Sequence, residues 1–141
     1  MKTAVLVHGH HLGTSNWEEV VWGNPKEGIY GRIATGIREA IRFNADVIFF
    51  PTGGSEKEGL KEGEWALKIA DERILEIPEC STWSADEADR WLSSRSVLEL
   101  SSTTTVEEIA ACAWVHAARA PPSARASAGR SDRVRSSIAA R

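Results

Sequence analysis

The chain has 141 residues, 42% hydrophobic and 26% charged, which suits one soluble globular domain and excludes a fibrous or wholly disordered class. The net charge of −3 (17 Lys+Arg against 20 Asp+Glu) excludes a strongly basic nucleic-acid binder, yet it averages two unlike segments. Residues 1–116 hold 11 basic and 19 acidic residues, whereas residues 117–141 hold six Arg and one Asp.

The opening MKTAVLVHGHHLG has an apolar run only from Ala4 to Val7. That is too short for a signal peptide and far short of the ~20 residues of a membrane span, so a cytoplasmic protein with no membrane partner is expected. Cys80 and Cys112 form neither a disulfide framework nor a CxxC pair, and both read as buried thiols. The six Trp residues are expected in the core or at its rim.

Thr3 to Val7 reads as a short buried strand that stops at His8-Gly9, followed by a polar loop to about Gly28. From Ile29, the spacing of Ile33, Ile37 and Ile41 predicts a helix with one apolar stripe. Asp46 to Phe50 is a continuous apolar run closed by Pro51, the pattern of a strand covered on both faces in a parallel sheet. A loop over 51–59 leads into a helix over 61–72, with Trp65, Ala66, Ile69 and Ala70 on one face. Arg73 to Ile77 reads as a short strand ended by Pro78. Ser84-x-x-Glu87 is a capping box opening a helix through Trp91 and Leu92. Val97 to Leu100 reads as a strand, and Thr105-x-x-Glu108 as a second capping box. Behind that box Val106, Ile109, Ala110, Ala113, Trp114 and Ala117 predict an inward apolar stripe.

Strands alternating with helices imply an open, mostly parallel α/β sheet over residues 1–116. Ligands in such folds bind beyond the carboxyl ends of the strands, which points to loops 8–28, 51–60 and 101–105. Residues 117–141 are 19/25 Ala, Arg and Ser, with little to bury. Three readings stand: a disordered tail, a basic arm for nucleic acid or an anionic surface, and translation of a GC-rich gene in another frame.

Pro51-Thr52-Gly53-Gly54-Ser55 is the most informative motif. Glycines let a ligand approach the backbone, and the following amides favour an anionic group. The spacing matches neither a dinucleotide fingerprint nor a Walker A loop, and a plain strand-to-helix turn explains it equally well. His8-Gly9 after a strand and Ser55 allow a serine hydrolase of α/β-hydrolase type, although Lys57 stands where the nucleophile turn needs a very small residue. His8, His10 and His11 suit a metal by type, but no nearby carboxylate completes a ligand set, so no metal is expected. Glu62 and Glu64 open a helix, where acidic residues complement the dipole.

Taken in order, these features resemble the YdcF-like family, with its SanA and ElyC branches, a domain of unknown function. The resemblance is carried by Val5 to Gly9, by Gly31-Arg32-Ile33, by Phe49-Phe50-Pro-Thr52-Gly53-Gly54-Ser55, by Glu62, and by Ser102-Thr-Thr104-Thr105-Val-Glu107. It covers about residues 3–113 and lacks the family's following strand and its S-x-x-H-x-x-R motif. Thr104 stands where the family has Asn.

The resemblance implies a Rossmann-like three-layer sandwich, shortened or divergent after about residue 113. It also implies a pocket at the strand ends for a small polar or anionic ligand: a nucleotide, S-adenosylmethionine or a phosphorylated molecule. The site residues expected are His8, Gly9, Arg32 and Glu62, the turn Thr52, Gly53, Gly54 and Ser55, and the later cluster Ser102, Thr105 and Glu107. Arg32 would pair with ligand or a site carboxylate, while Glu62 and Glu107 would accept hydrogen bonds or act as acid–base groups. A non-enzymatic interaction module with a basic tail is the alternative outside enzymes.

Overall fold

The structure is a computed structural model and describes residues 3–51, 54–99, 104, 106–110 and 112–113. In chain order its elements begin β1 (Ala4–Leu6), α1 (Trp17–Trp22), β2 (Gly23–Asn24), β3 (Ile29–Tyr30) and α2 (Arg32–Arg42). They continue β4 (Val47–Pro51), β5 (Glu56–Lys57), β6 (Leu60–Lys61), α3 (Glu62–Arg73), α4 (Ala85–Arg95) and β7 (Ser96–Glu99). Residues 106–110 and 112–113 are helical. The basic segment 117–141 lies outside the described residues.

The chain is mixed α/β around a three-stranded parallel sheet in the order β1-β4-β7. Ala4 pairs with Val47 and Leu6 with Phe49 on one side of β4, and Ile48 pairs with Ser96 on the other. The continuous apolar run 47–50 becomes the central strand because both its faces are covered. Ile48 and Phe50 point to one side, against Ile33 and Ile37 of α2, Ile69 of α3 and Leu92 of α4. Val47 and Phe49 point to the other, against Leu6, Val97 and Cys112.

The strands are laid down successively in one direction. With that order, right-handed crossovers deliver the connecting helices to one face, and α1, α2, α3 and α4 all contribute to one core.

Two glycines set how closely the helices approach. A Cβ on Gly36 would lie 2.5 Å from Val7 Cγ2, which seats α2 directly on the end of β1. A Cβ on Gly31 would lie 2.2 Å from the carbonyl carbon of Val21, so the end of α1 and the start of α2 touch through bare backbone. Gly31 N–H donates to Trp22 O across that contact at 2.8 Å.

Several expectations are corrected. The loop expected over 8–28 contains α1, whose Val21 and Trp22 are fully buried, and the β2–β3 hairpin. Ile29 belongs to that hairpin and is exposed, so the helix starts at Arg32. The strand expected over Arg73 to Ile77 is a 3-10 turn, Ile74–Glu76, followed by another at Pro78–Cys80. Loop 51–60 holds the β5–β6 hairpin, with Glu58 and Gly59 at φ 53° and 78°, the left-handed pair that a two-residue hairpin turn requires.

The Ser84 box forms as expected: Ser84 Oγ accepts from Glu87 N–H at 3.1 Å, and Glu87 accepts from Ser84 N–H at 2.9 Å. The last helix is capped one residue earlier than expected, by the Thr104 side chain. Glu107 N–H donates to Thr104 Oγ1 at 3.3 Å and Glu108 N–H to Thr104 O at 2.9 Å.

Candidate functional site

Parallel strands bring their carboxyl ends together, so the segments after β1 and β4 meet at one end of the sheet. They are joined there through Ser55. Its hydroxyl accepts from the Leu12 N–H at 3.0 Å and donates to Glu62 Oε1. Glu62, the first residue of α3, is 4% exposed. A carboxylate so buried needs a donor, and Ser55 supplies it. Glu64 takes the capping role at this helix start, accepting from Lys61 N–H at 2.8 Å.

The stretch after β1 has a second anchor. Arg32, at the start of α2, donates through Nη1 to Gly9 O at 2.7 Å and to His8 O at 3.4 Å. Trp17 Nε1–H donates to His10 O at 2.8 Å, and Gly13 N–H to His11 Nδ1 at 3.0 Å. His10 Nε2 is buried and has no hydrogen-bond partner among the described residues.

His8 reaches the end of the described chain. Its Nδ1 lies 2.9 Å from Glu108 Oε2, within hydrogen-bond distance. Glu108 is buried, whereas Glu107 is exposed. The one-residue shift of the cap therefore exchanges their roles: Glu107 sits at the cap and Glu108 turns inward. The inward face of this helix carries Glu108 and Cys112, while Val106 and Ile109 are 77% and 52% exposed, the reverse of the expected stripe. Burial pushes the Cys112 thiol up to about 11, with Glu99 and Glu108 adding to the effect.

Of the expected site residues, the structure therefore brings Ser55 to Glu62 and Arg32 to the backbone of His8 and Gly9. Thr52, Gly53, Ser102 and Thr105 lie outside the described residues. Gly54 is exposed, and a Cβ placed on it would meet nothing within 4 Å. Leu12 and Glu108 were missed. Leu12 takes part through its backbone, which leaves no sequence signal, and the spacing of Glu108 from Thr105 already reads as a cap.

A serine nucleophile of hydrolase type needs an imidazole nitrogen at its hydroxyl. Among the described residues the partners of Ser55 Oγ are Glu62 and the Leu12 amide, while His8 is paired with Glu108. No three His, Cys, Asp or Glu side chains converge as a metal-ligand group among the described residues, and no helix there is long and apolar enough to cross a membrane. A cleft of about 900 Å³ opens between α1 and α3 and is lined by none of the expected site residues. It touches the strand-end site at Leu12.

The chain matches no protein-family model, no curated protein and no solved structure.

Proposed function

We propose that this chain is a Rossmann-like, YdcF-like domain of three layers whose strand-end loops bind a small polar ligand with an anionic portion, of nucleotide, S-adenosylmethionine or phosphorylated type. The observation that carries this reading is the Ser55 junction, in which one hydroxyl ties the segment after β1 to the buried Glu62 at the carboxyl end of β4. In this reading the junction is the floor of the strand-end site and is set before binding, which lowers the ordering cost a ligand must meet.

Gly54 supports the same reading. Among the described residues no neighbouring atom forbids a side chain at Gly54, which leaves room for a ligand to approach the backbone there. Arg32 holds the His8-Gly9 carbonyls and presents its charge beside the loop. With Oε1 engaged by Ser55, Glu62 accepts from a ligand hydroxyl or amine through its second oxygen.

The experiment is a thermal-shift panel with ATP, AMP, S-adenosylmethionine and glucose 6-phosphate, run on the wild type and on Gly54→Asp. The substitution is sterically tolerated and places a negative charge at the turn. A ligand-induced rise in Tm that disappears in Gly54→Asp supports the reading. A rise that survives intact moves the ligand away from this turn, and no rise with any of the four refutes the ligand class.

A further inference from the structure

We propose that the cleft between α1 and α3 is a second binding site, independent of the strand-end ligand, and that it takes a short neutral oligosaccharide. At about 900 Å³ the cleft is in the range of small-molecule sites, and two indole rings form its apolar wall. Trp17 and Trp65 stand edge to face, with centroids 6.5 Å apart and planes at 69°. Both ring N–H groups are already engaged, Trp17 by His10 O and Trp65 by Lys57 O. The rings therefore offer a ligand their π-faces and edges rather than a donor. A pyranose matches such a wall, because its C–H face packs on an indole while its hydroxyls point outward.

The rest of the lining fits the same ligand. Three basic side chains, Lys26, Lys57 and Arg73, are balanced by three acidic ones, Glu18, Glu19 and Glu76. Arg73 is itself bound to Glu18 at 3.0 Å and to Glu76 at 2.9 Å. A charged ligand finds no field of one sign here, which disfavours a phosphate or a polyanion. The uncharged polar groups are Thr14, Asn16 and Asn24. Asn16 and Asn24 both occupy the position before a helical turn, yet neither side chain makes a capping hydrogen bond. Their amides, each a donor and an acceptor, suit the paired hydroxyls of a sugar. A planar nucleobase fits less well. The two indoles meet at a steep angle and form no parallel slot.

The test is ligand-detected NMR saturation transfer on the full chain with cellotriose, maltotriose and N,N′,N″-triacetylchitotriose, with adenosine as the planar control. At least one trisaccharide is expected to bind. Asn24→Ala, an exposed change that leaves the fold intact, should weaken it at least tenfold; Trp65→Ala should abolish it, Trp65→Phe should retain it, and Gly54→Asp should leave it unchanged. Absence of signal from all three trisaccharides overturns the proposal. So does adenosine binding that Asn24→Ala weakens, trisaccharide binding untouched by both Asn24→Ala and Trp65→Ala, or binding lost in Gly54→Asp, which would place the sugar at the strand ends.

Discussion

Replacing Ser55 with Ala removes one hydroxyl and unties three segments at once. Glu62 loses the donor that satisfies its buried carboxylate, a charge-assisted bond of about 2 kcal/mol. The Leu12 N–H loses its acceptor, adding about 1 kcal/mol for a donor on a buried residue. Ser55→Ala should therefore destabilise the chain by about 3 kcal/mol, or roughly 12 °C in Tm at this chain length. The assay is urea unfolding of Ser55→Ala, Glu62→Ala and the double variant. Because both changes break the same contact, their effects should fall short of additive, with a coupling of about 1.5 kcal/mol or more. A coupling below about 0.5 kcal/mol would refute the reasoning, since the two side chains would then be energetically independent.

Cys112 and Cys80 are buried, with thiols raised to about 11 and about 12, so at pH 8 neither should react with a disulfide reagent in the native protein. His8→Ala removes the partner that holds Glu108, and should speed modification of Cys112 while leaving Cys80 protected; mass spectrometry of the labelled peptides reads both. Glu76 accepts two bonds from Arg73 and one from Trp22 Nε1–H, and the Arg73 guanidinium holds its carboxyl below the ordinary value of about 4.3. A depressed carboxyl adds stability above its unfolded pKa, and that stability is lost as pH falls through the folded value. Urea midpoints measured at pH 6 and pH 3 should therefore fall less between the two in Glu76→Gln than in the wild type, and an equal fall would contradict the pairing.

The sheet was legible because its strands carry a local signature: 47–50 is apolar without interruption, and a strand buried on both faces needs that. The Ser84 box and the helix through Trp65 and Ile69 were legible for the same reason, a pattern complete within a dozen residues. Elsewhere the deciding contacts were distant. Val106, Ile109 and Ala110 mark one helical face, yet His8, a hundred residues away, draws Glu108 inward and turns that face to solvent. Ile74 and Ile77 read as strand, but the bracing of Arg73 on Glu76 and the proline at 78 fit a chain of 3-10 turns. At the site, Glu62 and Ser55 were both singled out, but the hairpin that folds one onto the other stood hidden in what reads as a plain loop. Glu108 escaped because its local context, three residues after Thr105, already had a capping explanation.

The central position of β4 has a consequence for how the chain reaches this fold. Among the described residues β1 and β7 both pair with β4, so neither ladder can form until residues 47–51 are in place. Ala4 must find Val47 and Ile48 must find Ser96, each closing a loop of roughly 45 residues before the first ladder bond forms. Such distant pairings slow folding relative to a helical bundle of the same size. The α1–α2 backbone contact at Gly31 joins neighbours in sequence and closes a far shorter loop than either ladder, so it does not have to wait for β4.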